Sequence, residues 1–281
     1  MKTFSLLVLM IVSVQACIAQ DINVMTFNIR LNIASDSLHA WPYRKDNVLS
    51  QINYHKVDIL GVQEAVPGQI SDLSNALIRY RYVGVGREGG DKGEYSAIFY
   101  NTQRLQLLAS STFWLSRTPG VVASIGWDAA LPRIVTWAKF KDVRTGKRFF
   151  VFNTHFDHMG KMARKESARL LLRAVDSIAG KSVAIATGDF NAHPDDEPMQ
   201  IIMNSSSPGK LFDTKGVTEE PHYGPTGTFN AFGPRETSAK PIDYIFFNRG
   251  VRVLQHATIS QTWMGRFASD HFAVLARIQL L

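Results

Sequence analysis

Ala186-Thr187-Gly188-Asp189-Phe190-Asn191-Ala192-His193-Pro194 decides how this chain is read. It closes an apolar run, Val183 to Ala186, that reads as a buried strand. Residues i and i+2 of a strand share a face. Asp189 and Asn191 are therefore expected to point into one site at the strand's end. A carboxylate and a carboxamide aimed at one point can position a water or a metal-bound phosphate oxygen. The same letters also spell an ordinary Asp/Asn-rich turn. His193 and Pro194 read as the turn that follows. The rest of the chain must choose between site and turn.

Working outward, apolar runs repeatedly end on polar residues. Val24 to Arg30 is a β-type run containing Asn28, and Val57 to Gln63 leads to Glu64. Phe149 to Asn153 leads to His155 and Asp157. Ile242 to Asn248 carries Asp243, and Asp270-His271 precedes the run Phe272 to Leu280. Pro42 to Tyr54 and Pro67 to Leu77 read as helices, the first with Pro42 near its opening turn. Met162 to Ile178 has helical periodicity, with Ala168, Leu171, Leu172, Val175 and Ile178 on one side. Further strands are expected at Tyr80 to Val85, Tyr95 to Tyr100, Leu105 to Leu115, Ile134 to Phe140 and Val251 to Ile259. Arg144 to Lys147 reads as a hairpin turn. Pure βαβ alternation would give one parallel sheet. This mixture of crossovers and hairpins implies mixed sheets with helices outside. Each polar strand end is weak alone, but strand ends and loops are where α/β scaffolds carry function.

The chain has 281 residues, no internal repeat and no Pro/Gly/Ser-rich linker, so one continuous domain, residues 20–281, is expected. Lys2, the apolar run Phe4 to Val14 and the small residues before Gln20 read as a secretory signal peptide over residues 1–19. It is too short for a spanning helix of ~20 apolar residues. Export to the periplasm or the medium is expected, with no transmembrane segment in the mature chain. Cleavage after Ala19 is favoured over lipid attachment at Cys17, because Gln15 is an awkward residue in a lipoprotein signal. Cys17 is the only cysteine. Its loss with the leader would exclude disulfides, thiolate metal sites and cysteine nucleophiles. The formal net charge of +7 favours anionic partners without choosing among them. No Lys/Arg block marks a nucleic-acid tail.

The polar set offers hard oxygen ligands beside histidines, which suits Mg²⁺, Mn²⁺ or Ca²⁺ better than zinc. His193 and the His155-Phe156-Asp157-His158 cluster leave zinc open. There is no HExxH, no GxxxxGK[ST] loop and no GxSxG elbow. The Gly-rich stretch Gly86 to Gly93 lacks a dinucleotide fingerprint and reads as a mobile hairpin loop.

Thr26-Phe27-Asn28, Gln63-Glu64, Asn153-Thr154-His155, Gly188-Asp189-Phe190-Asn191, Ile242-Asp243-Tyr244 and Ser269-Asp270-His271 occur in that order. Together they resemble the signature of the endonuclease/exonuclease/phosphatase superfamily, the DNase I-like fold. Trp41 to Arg44 and Gly126-Trp127-Asp128-Ala129-Ala130-Leu131-Pro132-Arg133 resemble a bacterial secreted branch of its metal-dependent hydrolases. The resemblance implies a four-layer α/β sandwich, two packed mixed β-sheets flanked by helices, hydrolysing a phosphoester with Mg²⁺, or with Mn²⁺ or Ca²⁺. It implies Glu64, Asn28 and Asp270 around the metal. His271 would face the phosphate and be oriented by Asp243. Asp189 would position water or protonate the leaving oxygen, Asn191 would orient phosphate and water, and His155 would be a second phosphate-facing imidazole. The expected step is in-line attack by water without a covalent enzyme intermediate.

Substrate is less constrained, since one fold hosts many. Inositol-polyphosphate phosphatases carry Cys-Asp-Arg where this chain has Ile242-Asp243-Tyr244. A phosphorylated small molecule, lipid head group or glycan is the leading expectation, handled by a monomer. An exported nuclease acting on DNA or RNA is the alternative, and a non-catalytic phosphate-binding module is the weakest reading. Arg44, Trp127 and Arg133 are the candidate substrate contacts, because Arg forks onto phosphate oxygens and Trp127 could line the cleft.

Overall fold

The computed structural model describes residues 21–204, 210–233 and 239–281. The expected leader, with Cys17, lies outside the described residues.

Fourteen strands and four α-helices follow one another among the described residues. In chain order they are β1 (Ile22–Asn28), α1 (Lys45–Tyr54), β2 (Ile59–Gln63), α2 (Pro67–Ala76), β3 (Tyr80–Val83), β4 (Ile98–Asn101) and β5 (Leu105–Trp114). Then come β6 (Ile134–Asp142), β7 (Arg148–His155), α3 (Lys161–Ala179), β8 (Val183–Asp189), α4 (Glu197–Asn204) and β9 (Phe212–Asp213). The chain ends with β10 (Asp243–Phe247), β11 (Val251–Ile259), the short pair β12 (Thr262–Trp263) and β13 (Arg266–Phe267), and β14 (Ala273–Leu280). Two six-stranded mixed sheets result, ordered β11-β14-β1-β2-β4-β3 and β5-β6-β7-β8-β10-β9. Each has one parallel crossover pair, β1 with β2 and β7 with β8.

Alternation along the strands explains the layers. In β1, Ile22 and Val24 enter the core between the sheets, while Met25 and Phe27 pack outward with Val48 and Ile52 of α1 and Ile70 and Leu73 of α2. In β7, Phe149 and Val151 face the inter-sheet core, while Phe150 and Phe152 pack with Leu171 and Val175 of α3 and Met199 and Ile202 of α4. The order is therefore helix, sheet, sheet, helix: the expected four-layer sandwich. Strands buried on both faces lose polar alternation, which is why they read as continuous apolar runs. The helix expected from Pro42 starts later, because Trp41–Tyr43 forms a 3-10 turn before α1.

The inter-sheet face turns polar toward one end. Following Ile22 and Val24 on the same face come Thr26 and then Asn28. Following Phe149 and Val151 come Asn153 and His155. There Gln63 Nε2 donates to Thr26 Oγ1 at 3.0 Å and to Asn153 Oδ1 at 2.7 Å. Asn153 Nδ2 donates to the Val62 and Ala97 carbonyls, both at 2.9 Å, and Thr187 Oγ1 donates to Asn153 Oδ1 at 3.0 Å. This buried layer stitches the sheets together directly beneath the strand ends.

Candidate active site

The strand ends of both sheets meet at a cavity of about 650 Å³. Glu64, His155, Asp189, Asn191, Asp270, His271 and Arg133 line it, together with Arg30, Arg87, Glu94, His158, His193 and Phe229. Asn28 and Asp243 sit immediately behind this surface, buried.

Asp189 ends β8, but Asn191 does not share its strand face. Phe190 is fully buried against Phe156, and Asn191 turns into the left-handed region at φ 47°. Its N–H donates to Asp189 Oδ1 at 2.9 Å, closing an Asx turn. Turn and site are thus one structure. The Asn191 Nδ2 then reaches His155 Nε2 at 3.1 Å and the Phe156 carbonyl at 3.0 Å. Glu64 and Arg30 also leave their strands through positive φ, 63° and 55°. Backbone cost of this kind, about 1–3 kcal/mol per residue, persists where surrounding structure enforces it.

Asn28 is the hub. Its Nδ2 donates to Glu64 Oε1 and to Asp189 Oδ2, each at 3.0 Å, and lies 3.4 Å from His271 Nε2. Its Oδ1 accepts from the Arg30 N–H at 3.0 Å. Glu64 Oε2 accepts from the Leu31 N–H at 3.1 Å. Asp243 Oδ2 lies 2.9 Å from His271 Nδ1, while its buried Oδ1 has no hydrogen-bond partner among the described residues.

Charge follows from these contacts. Burial opposes a proton on His271, but Asp243 and then Asp189 hold its pKa well above the usual imidazole value. The ring is therefore cationic at neutral pH, its Nε2 turned to the site. Burial, then Arg133, keeps His155 well below that value, so it is neutral. Burial and the Asp243 carboxylate push Asp189 up to about 7. Neighbouring groups with divergent proton affinities are the raw material of acid–base chemistry.

Two acidic groupings could hold a cation. Asp189, Asp243 and His271 place ligand atoms within 4.8 Å of one another, but the Asp243–His271 hydrogen bond already accounts for that closeness and would be lost on metal binding. Glu64 and Asp270 fit a hard divalent ion better. Burial, reinforced by the charge of Glu64, raises the Asp270 carboxyl, so a cation between the two would be welcome. The pair already draws the Arg30 guanidinium, at 4.0 Å from Glu64 and 3.8 Å from Asp270. Asn28 would complete an all-oxygen set through its amide oxygen, after rotation of the amide.

The sequence matches the Endonuclease/Exonuclease/phosphatase family over residues 25–271. The chain belongs to this family. Its members are phosphoester hydrolases. A family structure from Bacteroides vulgatus is 39% identical, covers 93% of this chain and 100% of its own, and superposes with a TM-score of 0.88. A mannosyl-6-phosphatase from Bacteroides thetaiotaomicron is 37% identical over 92% of this chain and 99% of its own, with a TM-score of 0.87. An uncharacterized protein of Acanthamoeba polyphaga mimivirus is 30% identical over 198 residues, 66% of this chain and 70% of that one.

Two expected substrate contacts, Arg44 and Trp127, are not among the residues that line this cavity. Arg44 is 2% exposed and spends its guanidinium on the backbone carbonyls of Ile29, Arg30 (2.6 Å), His39 (2.7 Å) and Ala268 (3.2 Å). It pins the loop that follows Asn28 and is absent from the cavity wall. Trp127 is half-buried and not among the cavity-lining residues, in a segment whose Asp128 accepts from the Met162 and Ala163 N–H groups that open α3. Arg133 does reach the cavity, held by Asp157 at 3.3 Å and His158 at 2.9 Å.

Other site residues escaped sequence reading. The Gly-rich stretch forms a hairpin, with bridges Gly86 to Tyr95 and Gly89 to Lys92, that delivers Arg87 and Glu94 to the wall. Paired glycines flanking an Arg and a Glu were the available signal. Thr228-Phe229-Asn230 is a further segment at the site outside the residues expected from sequence. Thr228 Oγ1 accepts from the Ile242 and Asp243 N–H groups at 3.0 and 3.1 Å, and Phe229 packs edge-on to His271 at 4.9 Å. The segment thus braces both halves of the His271–Asp243 pair. His193, expected in the turn and as one of the histidines that leave zinc open, also lines the cavity.

Proposed function

We infer that this protein is an exported, divalent-metal-dependent phosphoesterase acting on a small phosphorylated molecule. One observation carries the reading. Glu64, Asp270, Asp189, Asn191, His155 and His271 converge on the floor of a cavity of about 650 Å³. That volume lies in the range of small-molecule sites, about 300–1,000 Å³. The 37%-identical mannosyl-6-phosphatase supports a sugar phosphate as the substrate type.

Glu64 and Asp270, with Asn28, would hold Mg²⁺, with Mn²⁺ or Ca²⁺ as substitutes. A bound divalent ion would supply charge neutralisation at the phosphoryl oxygens. Cationic His271, fixed by Asp243, donates from Nε2 to a phosphate oxygen as negative charge grows there. Asn191 and neutral His155, which meet at 3.1 Å beside Asp189, orient the phosphate. Asp189, poised near neutrality, accepts a proton from the attacking water or returns one to the leaving oxygen. No serine, threonine or cysteine is among the described residues that line the cavity, in keeping with direct attack by water.

A metal-supplemented screen tests this reading. Sugar phosphates, p-nitrophenyl phosphate, bis-p-nitrophenyl phosphate, plasmid DNA and RNA are offered with and without Mg²⁺. Release of phosphate from the small esters, with nucleic acid left intact, is expected. Cleavage of plasmid or RNA in preference to every small ester would instead establish a nuclease.

A further inference from the structure

Beyond the phosphate-facing floor, one wall of the cavity is built from side chains that the hydrolytic step does not use. Arg87 and Glu94 come from the two arms of the Gly86–Tyr95 hairpin, and Arg87 Nη1 lies 2.8 Å from Glu94 Oε2. The hairpin is fixed rather than incidental. The Arg87 N–H donates to the Glu94 carbonyl at 2.9 Å, and Trp114 Nε1, at the end of β5, donates to the Arg87 carbonyl at 2.7 Å. A side chain at Gly86 would collide with the Lys92 backbone, so the turn is closed to other residues. Arg133 stands alongside on its own carboxylate, Asp157. His158 takes the Arg133 donor at Nδ1 and keeps Nε2 free of it.

Two features define what this wall can take. The first is its charge balance. Arg87 is matched by Glu94 and Arg133 by Asp157, so the wall is close to neutral despite its two guanidinium groups. A second phosphate would meet the Glu94 carboxylate. The second feature is unused hydrogen-bonding capacity. The buried Arg87 Nε has no hydrogen-bond partner among the described residues, and the Arg87–Glu94 contact engages Glu94 through Oε2. Between Arg87, Glu94, Ser96, Arg133 and His155 lies a recess of about 10 Å³, room for one polar atom or water. Leu131, Ile242 and Phe229 line the same cavity with apolar surface. A carboxylate acceptor beside planar Arg donors, facing apolar carbon, is complementary to the hydroxyls and C–H faces of a sugar ring.

We propose that Arg87 and Glu94 form a hydroxyl-recognising subsite that selects phosphate monoesters of sugars or related polyols over aryl esters and over substrates with a second phosphate. Glu94 accepts from two ring hydroxyls while Arg87 and Arg133 donate to ring oxygens. This rests on the phosphoesterase reading above, because the phosphate on the floor sets where the ring lies. The Arg87–Glu94 pair is specificity-determining, and it takes no part in proton transfer to the reacting atoms.

The test compares wild type with Glu94→Gln, nearly isosteric and checked for folding by thermal melting. kcat/KM is measured with mannose 6-phosphate, glucose 1,6-bisphosphate and p-nitrophenyl phosphate, and binding of unphosphorylated methyl mannoside is measured by calorimetry. Expected are a loss on mannose 6-phosphate at least tenfold greater than on p-nitrophenyl phosphate, a wild-type preference for the monophosphate, and loss of methyl mannoside binding. Equal losses on both monoesters, preference for the bisphosphate, or methyl mannoside binding that is undetectable in wild type or survives Glu94→Gln would overturn the subsite. Failure of wild type to hydrolyse any small ester would instead overturn the phosphoesterase reading, with the calorimetry still deciding the subsite.

Discussion

At the residue scale, the site works through pairs that divide a task. His271 is charged because Asp243 stands behind it, and Asp189 is held near neutrality by burial beside the same carboxylate. Asp243→Asn would leave the ring in place while removing the charge that protonates it. Steady-state assays should show kcat falling by about 10²–10⁴-fold, the usual cost of losing a positioned acid or base. Unchanged turnover in a folded variant would contradict the pairing. Direct attack by water predicts inversion at phosphorus in a substrate made chiral with oxygen isotopes, and retention would contradict it. Arg44 makes the complementary case. Its donors satisfy four backbone carbonyls, so Arg44→Ala should cost stability, roughly 2–4 kcal/mol from stranded buried groups. Chemical denaturation should show that loss, with KM little changed. A raised KM at unchanged stability would restore the substrate role first expected of it.

At the element scale, four of the six motifs close strands, β1, β2, β7 and β8, and the other two open or directly precede strands, β10 and β14, at the same rim, above the buried polar layer. This is why so much of the site was legible. Thr26 precedes Asn28 on one face, and Asn153 precedes His155, so a polar letter inside an apolar run marked the approach to the site. What could not be read was loop direction. Arg44 and Arg133 look alike in sequence, yet one turns back onto carbonyls and the other reaches the cavity. Only the tertiary path of each loop separates them. The Gly86–Tyr95 hairpin was visible as a turn but not as a wall, because its inward aim depends on Trp114 far along the chain.

The same layer makes Gly61 irreplaceable. A Cβ there would collide with Thr187 Oγ1 and Asn153 Oδ1. Gly61→Ala should lower stability by about 1–3 kcal/mol, as overpacking does, seen as a lowered thermal midpoint. A second element-scale consequence lies at His256 on β11. Burial, then His222 at 2.9 Å between the two Nδ1 atoms, lowers its pKa from 6.5 to about 3. A histidine buried neutral contributes fully above the unfolded value and loses that contribution as pH falls from about 6.5 toward 3. His256→Gln should therefore flatten the decline of stability across that window in pH-dependent denaturation. An unchanged slope would contradict the assignment.

At the scale of the whole molecule, two sheets face each other so that polar strand ends gather at one rim, and loops from both sheets enclose the space above. The layer order was readable because double burial leaves continuous apolar strands, and the mixed sheets because hairpins interrupted the crossovers. The enclosure was not readable, since it is made by loops meeting across the sandwich. No helix among the described residues is long and apolar enough to cross a membrane. The net charge of +7 is spread along the chain, and the cavity wall balances its own arginines. A small ester should therefore show only a shallow dependence of kcat/KM on salt, whereas a ligand neutralising many phosphates loses affinity steeply.

The central claim is that Glu64, Asp270 and the His271–Asp243 pair together perform metal-dependent phosphoester hydrolysis. Phosphate release from mannose 6-phosphate by metal-stripped protein, with and without restored Mg²⁺, tests it most directly in wild type, Glu64→Ala and His271→Ala. The account predicts Mg²⁺-dependent turnover in wild type and a loss of at least about 10²-fold in both folded variants. Near-normal turnover in either variant under saturating Mg²⁺, or wild-type turnover indifferent to the metal, would contradict it.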